Sequence, residues 1–270
     1  MIDTRLAGKV ALVTGANHGI GAATARALAA EDVAVLLTYK RLEPLREPAH
    51  PEAYDRVRAG TADEVVRQIR AAGGAAEAVE ADLTDPAAPE ALFDHAEKAF
   101  GPVEILVNNA SGWLSDTFAP DEHDRFGRSL RMLGAETHAR QFAVDVRAPA
   151  LLIAEFARRH VTRGATWGRV IGLTSAGRAG FPSEVSYGAA KAAQESYTLS
   201  AAHELGRYGI TANMVHPPVT DTGWVNDEVT AFAATLPLGT VADPDEVAEV
   251  ILFLASHQGR RVTGQVVTMY

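Results

Sequence analysis

A tyrosine and a lysine stand four residues apart in the segment Ser186-Tyr187-Gly188-Ala189-Ala190-Lys191. At the start of a predicted helix, that spacing puts both on one face. A phenol with an ordinary pKa of about 10 exchanges protons poorly near neutral pH, but an adjacent ammonium stabilises the phenolate and lowers that pKa. Tyr187 and Lys191 are therefore a candidate proton-transfer pair, although on an isolated helix the same spacing is an ordinary surface pair. A second constellation, Thr14-Gly15-Ala16-Asn17-His18-Gly19-Ile20-Gly21, follows an apolar run and opens an Ala-rich stretch. Glycines at a strand-to-helix turn let the backbone approach a pyrophosphate, and the helix N-terminus offers free N–H groups and partial positive charge to that anion. Three glycines in a turn also occur for tight packing alone. The strand before, the helix after and the place at the head of the α/β alternation point to a dinucleotide.

Such residues need a scaffold that brings positions far apart in sequence to one edge. Short apolar runs at residues 9–13, 33–38, 76–81, 103–107, 169–174, 210–215 and 265–269 read as strands. Helical stretches at 19–31, 61–72, 89–100, 137–161, 187–207 and 244–256 lie between them, the last with Asp243 as N-cap, Pro244 at the first helical position and Glu246 three residues beyond the cap. This alternation predicts the α/β class, a Rossmann-type doubly wound parallel sheet of about seven strands with helices on both faces, in a single domain over 1–270. Two connections exceed the usual length of about 2 to 6 residues. The first, near 40–60, carries Pro44, Pro48 and Pro51 and reads either as a surface insertion or as part of a site. The second, near 112–136, is expected to be a substrate lid, because loops leaving the carboxyl ends of strands line the ligand crevice.

Composition narrows the partners. A formal net charge of −9 over 270 residues offers no basic footprint for nucleic acid. Cysteine is absent, which removes thiolate nucleophiles, disulfides and Cys-based metal sites. No apolar run has the length of a membrane span or a signal core, so the expectation is a cytoplasmic protein acting on a small molecule, with no nucleic acid, membrane or metal.

The glycine spacing, the Tyr-x-x-x-Lys pair and the order of the motifs between them resemble the short-chain dehydrogenase/reductase family, in its short single-domain branch, over nearly the whole chain from Lys9 to Met269. The resemblance implies that Gly15, Asn17, His18, Gly19, Ile20 and Gly21 cradle the cofactor and that Asp82, followed by Leu83, holds its adenine. Asn108-Asn109-Ala110-Ser111 looks like the family's Asn-Asn-Ala-Gly, with Ser111 in the glycine position, and puts Asn109 and Ala110 on the cofactor. Its plain reading is an Asx turn. Lys191, one of only four lysines, also implies a hydrogen bond to the nicotinamide ribose. Ser175 resembles the serine that orients the substrate carbonyl. It lies twelve residues before Tyr187, one fewer than the commonest family spacing, so Thr174 is its competitor. In Asn213-Met214-Val215-His216-Pro217-Pro218-Val219-Thr220-Asp221-Thr222, the family pattern implies cofactor contacts from Pro217, Val219 and Thr222, with Thr220 as a rival to Thr222. Pro218 departs from a glycine there, and His216 reads as structural. Asp145 stands where the pattern has an asparagine in a proton relay to the lysine, so an anion would oppose the Tyr187 phenolate.

The implied reaction is hydride transfer between C4 of a nicotinamide and a carbonyl or alcohol carbon, with Tyr187 protonating the alkoxide. The second strand ends in Thr38-Tyr39-Lys40-Arg41, with two cations and no carboxylate to bind a ribose 2′-OH. NADP(H) is therefore favoured over NAD(H), with Lys40 and Arg41 on the 2′-phosphate. His18 occupies a place where NADP-users often carry arginine. Family members of this size imply a homotetramer or homodimer built through the long helices after the fourth and fifth strands. Two rivals remain: a cofactor-retaining epimerase or dehydratase, whose family members usually carry a longer C-terminal substrate domain, and a non-catalytic dinucleotide sensor, suggested by Asp145 and Pro218 but not by the retained Tyr187 and Lys191. Trp113, Phe118 and Trp224 are candidates for an apolar substrate lining and equally for plain core.

Overall fold

The computed structural model describes residues 3–44, 51–175 and 180–270. In chain order the first half runs β1 (Val10–Thr14), α1 (Gly19–Ala30), β2 (Ala34–Tyr39), α2 (Glu52–Ala59), α3 (Asp63–Ala71), β3 (Ala76–Glu80), α4 (Ala88–Ala99), β4 (Ile105–Asn108), β5 (Asp116–Thr117) and β6 (Arg131–Met132). The second half runs α5 (Ala135–Phe142), a π-helical turn (Ala143–Arg147), α6 (Ala148–Thr162), β7 (Gly168–Leu173), α7 (Val185–Leu205), β8 (Ile210–His216), α8 (Asp227–Ala233), α9 (Pro244–Ala255) and β9 (Val266–Thr268). Seven strands form one parallel sheet in the order β3-β2-β1-β4-β7-β8-β9. The Rossmann-type doubly wound fold expected from the alternation is the fold observed.

Strand periodicity divides the core between the two faces, because successive side chains point to opposite sides. Ala11, Val13, Val35, Leu37, Ile105 and Val107 meet Leu28, Val65, Ile69, Val247 and Ile251 on one face. Val10, Leu12, Leu36, Leu106 and Val170 meet Leu92, Phe93, Leu152 and Phe156 on the other. From β1 the chain winds outward in one direction through β2 and β3, then in the other from β4 onward. This reversal between β1 and β4 opens a crevice at the carboxyl ends of the strands, the place where such sheets bind ligands.

The structure departs from the expected elements in four places. The continuous helix expected over 137–161 is broken by the π turn, in which Ala148 N bonds Ala143 O. Pro149 supplies a reason: it lacks the N–H that would serve the carbonyl of Asp145 one α-turn earlier. The 40–60 insertion contains α2, while its residues 45–50 lie outside the described residues. The 112–136 segment carries the small parallel pair β5-β6, and the short helix α8 is a further element that apolar periodicity did not indicate. The α9 start is as its residues predict, with Asp243 N donating to Glu246 Oε2 at 2.7 Å and Asp245 N donating to Asp243 Oδ1 at 2.9 Å. Among the described residues, no helix is long and apolar enough to cross a membrane.

Candidate active site

The turn after β1 is built so that backbone, not side chains, lines it. Gly15 and Gly19 take φ of +64° and +55°, conformations that favour glycine. A Cβ on Gly21 would lie 2.3 Å from Gly15 O, and one on Gly15 would lie 2.8 Å from Ala110 Cα. His18, the residue before Gly19, is the N-cap of α1 but makes no side-chain capping bond, and the first turn of the helix holds no acid. Its leading N–H groups are therefore left for an anion. Burial, and then the nearby Arg58 guanidinium, hold the His18 imidazole down at about 4, so it is neutral at physiological pH. A glycine cradle that no side chain could enter, beneath an uncapped helix start, fits the diphosphate of a dinucleotide.

Beyond the ends of β2 and β3 the surroundings are polar and open. Lys40 Nζ lies 2.5 Å from Asp82 Oδ2. Asp82 also accepts from Thr84 N and Oγ1 at 2.9 and 2.7 Å. Partial burial works against the Asp82 carboxylate, yet the Lys40 and Thr84 hydrogen bonds outweigh it and bring the group to about 2. Arg41 departs from the expectation: it turns onto Glu80, 2.8 Å away, and does not reach the cavity wall. Asn109 spends its side-chain amide on Thr14 O and Gly15 O at 2.8 and 2.9 Å, tying β4 to β1, while its N–H and that of Ala110 meet Thr14 Oγ1. It shapes the wall rather than offering the wall a donor.

The central group converges from three elements. Tyr187 and Lys191 come from the first turns of α7, Ser175 from the exit of β7, and Asp145 from the π turn. The Ser175 hydroxyl lies beside the Tyr187 phenol, where it favours the phenolate; its competitor Thr174 is buried with Oγ1 unpartnered. Lys191 is 2% exposed and its Nζ sits 5.7 Å from the Tyr187 ring centre. That ammonium donates to Leu173 O at 3.0 Å and to Gln194 Oε1 at 3.1 Å. Asp145 Oδ1 is 3.1 Å from it, an ion pair whose angle misses hydrogen-bond geometry. Asp145 Oδ2 accepts from Gly112 N and Gln141 Nε2, both at 2.7 Å. Burial raises the Tyr187 phenol well above its ordinary range, the Asp145 carboxylate adds to that, and the Ser175 hydrogen bond works the other way. The arrangement can present a neutral phenol as proton donor beside a held ammonium. Gln141 and Gln194, both fully buried, had no place in the sequence reading. Their signal was a polar residue at helical spacing from a charged one: four before Asp145 and three after Lys191.

A cavity of about 1170 Å³ runs over all of this. It is walled by Gly15, Asn17, His18, Gly19, Ile20, Lys40, Asp82, Leu83, Asn109, Ala110, Ser175, Tyr187, Lys191, Pro217, Val219 and Thr222. Gly21 and Asp145 stand behind the wall. Thr222 packs where a Gly19 Cβ would go, 2.7 Å from its Cγ2, whereas Thr220 is buried and bonds Pro218 O. At the other end Trp113, Phe126, Phe181, Trp224 and Phe232 form an aromatic lining. Phe118 is neither lining nor core: it is 76% exposed on the 112–136 segment, directly after the short strand β5. The 112–136 segment is tied down at its base, where buried Asp116 accepts from Ser186 N and Oγ at 2.8 and 2.5 Å. Trp113 Nε1 donates to Glu184 Oε1 at 3.1 Å, and Arg128 bridges Asp124 and Glu184 at 2.6 Å each.

A dinucleotide-type cradle at the switch point of a doubly wound sheet, continuous with a phenol and ammonium beneath an aromatic pocket, defines a nicotinamide-dependent oxidoreductase. A family model described as enoyl-(acyl carrier protein) reductase matches residues 15–269. The chain is 35% identical over 266 residues to cis-4-hydroxycyclohexanecarboxylate dehydrogenase of Sinomonas cyclohexanicum, covering 97% of this chain and 94% of the other. Among solved structures it resembles a short-chain dehydrogenase of Burkholderia cenocepacia in complex with NADP, at TM-score 0.81 and 31% identity over 98% of this chain and 97% of that one. An angucycline C-6 ketoreductase with bound NADP matches at TM-score 0.78 and 29% identity, covering 97% and 94%. The chain belongs to the short-chain dehydrogenase/reductase family. It is an NAD(P)-dependent oxidoreductase that interconverts a carbonyl and an alcohol, and the epimerase, dehydratase and sensor readings are not favoured.

Proposed function

We propose that this enzyme reduces a ring-bearing, largely apolar carbonyl compound with NADPH in the cytoplasm, where that reductant is replenished, and that it works as a homodimer or homotetramer. The observation that carries the direction is the Tyr187 phenol: half-buried at the cavity wall, beside Ser175, and raised above its ordinary range by desolvation and Asp145. A phenol that stays neutral at physiological pH is ready to donate. In this reading Ser175 holds the substrate carbonyl against Tyr187, and Tyr187 gives its proton to the developing alkoxide. Lys191, anchored by Leu173 O, Gln194 and Asp145, keeps one N–H for a ribose hydroxyl. The bound nicotinamide supplies hydride. The aromatic lining and the cyclic substrates named for two relatives support the substrate class.

The preference for NADP(H) rests on Lys40, on the absence of a carboxylate at the end of β2, and on relatives holding NADP. Lys40 and Arg41 already pair with Asp82 and Glu80, but exposed ion pairs of this kind are screened by solvent and weak. A phosphate dianion outcompetes them readily. The test is kcat/KM for NADPH and NADH on a panel of cyclic and acyclic ketones. We expect net NADPH oxidation, fastest with the cyclic members, and a tenfold or greater preference for NADH would overturn the cofactor assignment.

A further inference from the structure

The insertion between β2 and α3 holds a cation that the reading above does not use. Arg58, in the last turn of α2, is 7% exposed and lines the cavity. Its guanidinium stacks over the Tyr54 ring, 5.2 Å from the centroid. Arg58 makes no ion pair among the described residues, and its Nη1 is buried without a hydrogen-bond partner. A guanidinium stays charged at any physiological pH, and a buried charge without a counter-ion is costly. Proteins keep such a group where an anion arrives to pair with it.

The position of α2 says which anion. Asn17, inside the glycine turn, donates its side-chain amide to Val57 O at 3.2 Å and Gly60 O at 3.0 Å, clamping the last turn of α2 onto that loop. Tyr54 and Val57 pack against Gly223, whose added Cβ would meet each at 3.6 Å, so the helix spans from the glycine turn to the segment after β8. Arg58 is close enough to the turn to depress the titration of His18. His18 is neutral and cannot supply the charge itself. We infer that Arg58 is a phosphate ligand for the bound dinucleotide, delivered by the inserted helix to the anion cradle of the glycine turn. This rests on the dinucleotide reading above and adds to it a residue that lies outside the glycine-loop and Tyr/Lys motifs.

The test is fluorescence titration of wild type, Arg58→Met and Arg58→Lys with NADPH and NADH, alongside displacement by ADP, 2′-AMP and adenosine. Methionine keeps the apolar stem's packing and removes the charge. Arg58→Met should weaken NADPH by about tenfold or more, the scale of one charge-assisted hydrogen bond, and Arg58→Lys should recover part of the loss. A matching loss for ADP assigns the diphosphate, a loss for 2′-AMP alone assigns the ribose phosphate, and either supports the inference; adenosine should bind all three proteins alike. Dinucleotide affinities unchanged within twofold would overturn it, as would an equal loss for adenosine, which marks collapse of the cleft, or an effect confined to the KM of a carboxylate-bearing ketone. Failure of wild type itself to bind any dinucleotide would instead sink the reading on which the inference rests.

Discussion

Asp145 and Tyr187 show how one charge sets the working range of another group. The carboxylate lies 3.1 Å from the Lys191 ammonium and adds to burial in disfavouring the Tyr187 phenolate. Oxidation of an alcohol needs that phenolate as base; reduction of a carbonyl needs the phenol as acid. Reduction should therefore persist into the alkaline range while oxidation demands high pH. Asp145→Asn removes a negative charge, so the phenolate becomes easier to form and the apparent pKa in the kcat/KM profile for oxidation should fall. An unchanged or raised pKa would show that the carboxylate does not act on Tyr187. Tyr187→Phe keeps the ring and its edge-on packing with Phe181. Turnover should drop by roughly 10² or more, the scale of a general acid–base group, with the dinucleotide Kd unchanged within a few-fold. Retention of a tenth of wild-type kcat would remove Tyr187 from that role.

Three elements are bent or pinned to put those groups together. The π turn at Ala143–Arg147 interrupts a long helix where Asp145 points at Lys191, and Pro149 is the residue that denies the regular pattern its donor. α7 is pinned from the 112–136 segment: Asp116, fully buried, takes both the N–H and the hydroxyl of Ser186, the residue before Tyr187. Asp116→Ala leaves those two donors buried without their acceptor, a cost of about 1–3 kcal/mol. Thermal unfolding should register that loss, and kcat should fall more than dinucleotide affinity because the phenol rather than the cradle loses its support. Equal loss in both would place Asp116 in the general architecture instead. The clamp from Asn17 to α2 is the same device on the cofactor side.

At the scale of the molecule, an acidic chain concentrates positive charge where anions bind. Net charge is −9, yet the cavity is lined by the cations Lys40, Arg58, Arg125, Arg128, Arg140 and Lys191 against the carboxylates Asp82, Asp124, Glu184 and Glu195. A lining with this modest excess of cations, set in a negative surface, favours an anionic cofactor over its surroundings, an effect that weakens with salt. The outer faces of α6 and α7 leave Leu151, Val161 and Tyr197 36%, 42% and 52% exposed. Exposed apolar side chains on two long helices are the expected contact between copies. Light scattering should give two or four times 28.6 kDa, and the double variant Leu151→Glu with Tyr197→Glu should shift the mass downward. A monomeric wild type would exclude that assembly.

Local rules were enough for much of this. Seven strands, the helices between them and the α9 capping box follow from periodicity and end signals, because those depend on neighbours within a few residues. The glycine turn and the Tyr187–Lys191 face were legible for the same reason. The sequence could place Ser175 and Thr174 side by side, but only the chain's return through α7 brought the serine hydroxyl to Tyr187. Lys40 and Arg41 were equal as text; packing gave one to Asp82 at the cavity and turned the other outward onto Glu80. Phe118 and Trp113 looked alike as lid aromatics until the fold exposed the first and fastened the second to Glu184. Gln141, Gln194, Asp116 and Arg58 acquire meaning only from partners 3 to 70 positions away or from a cavity. Burial decides these cases, since a polar group in water needs no specific partner and a buried one must find it, and burial is a property of the assembled layers rather than of any segment.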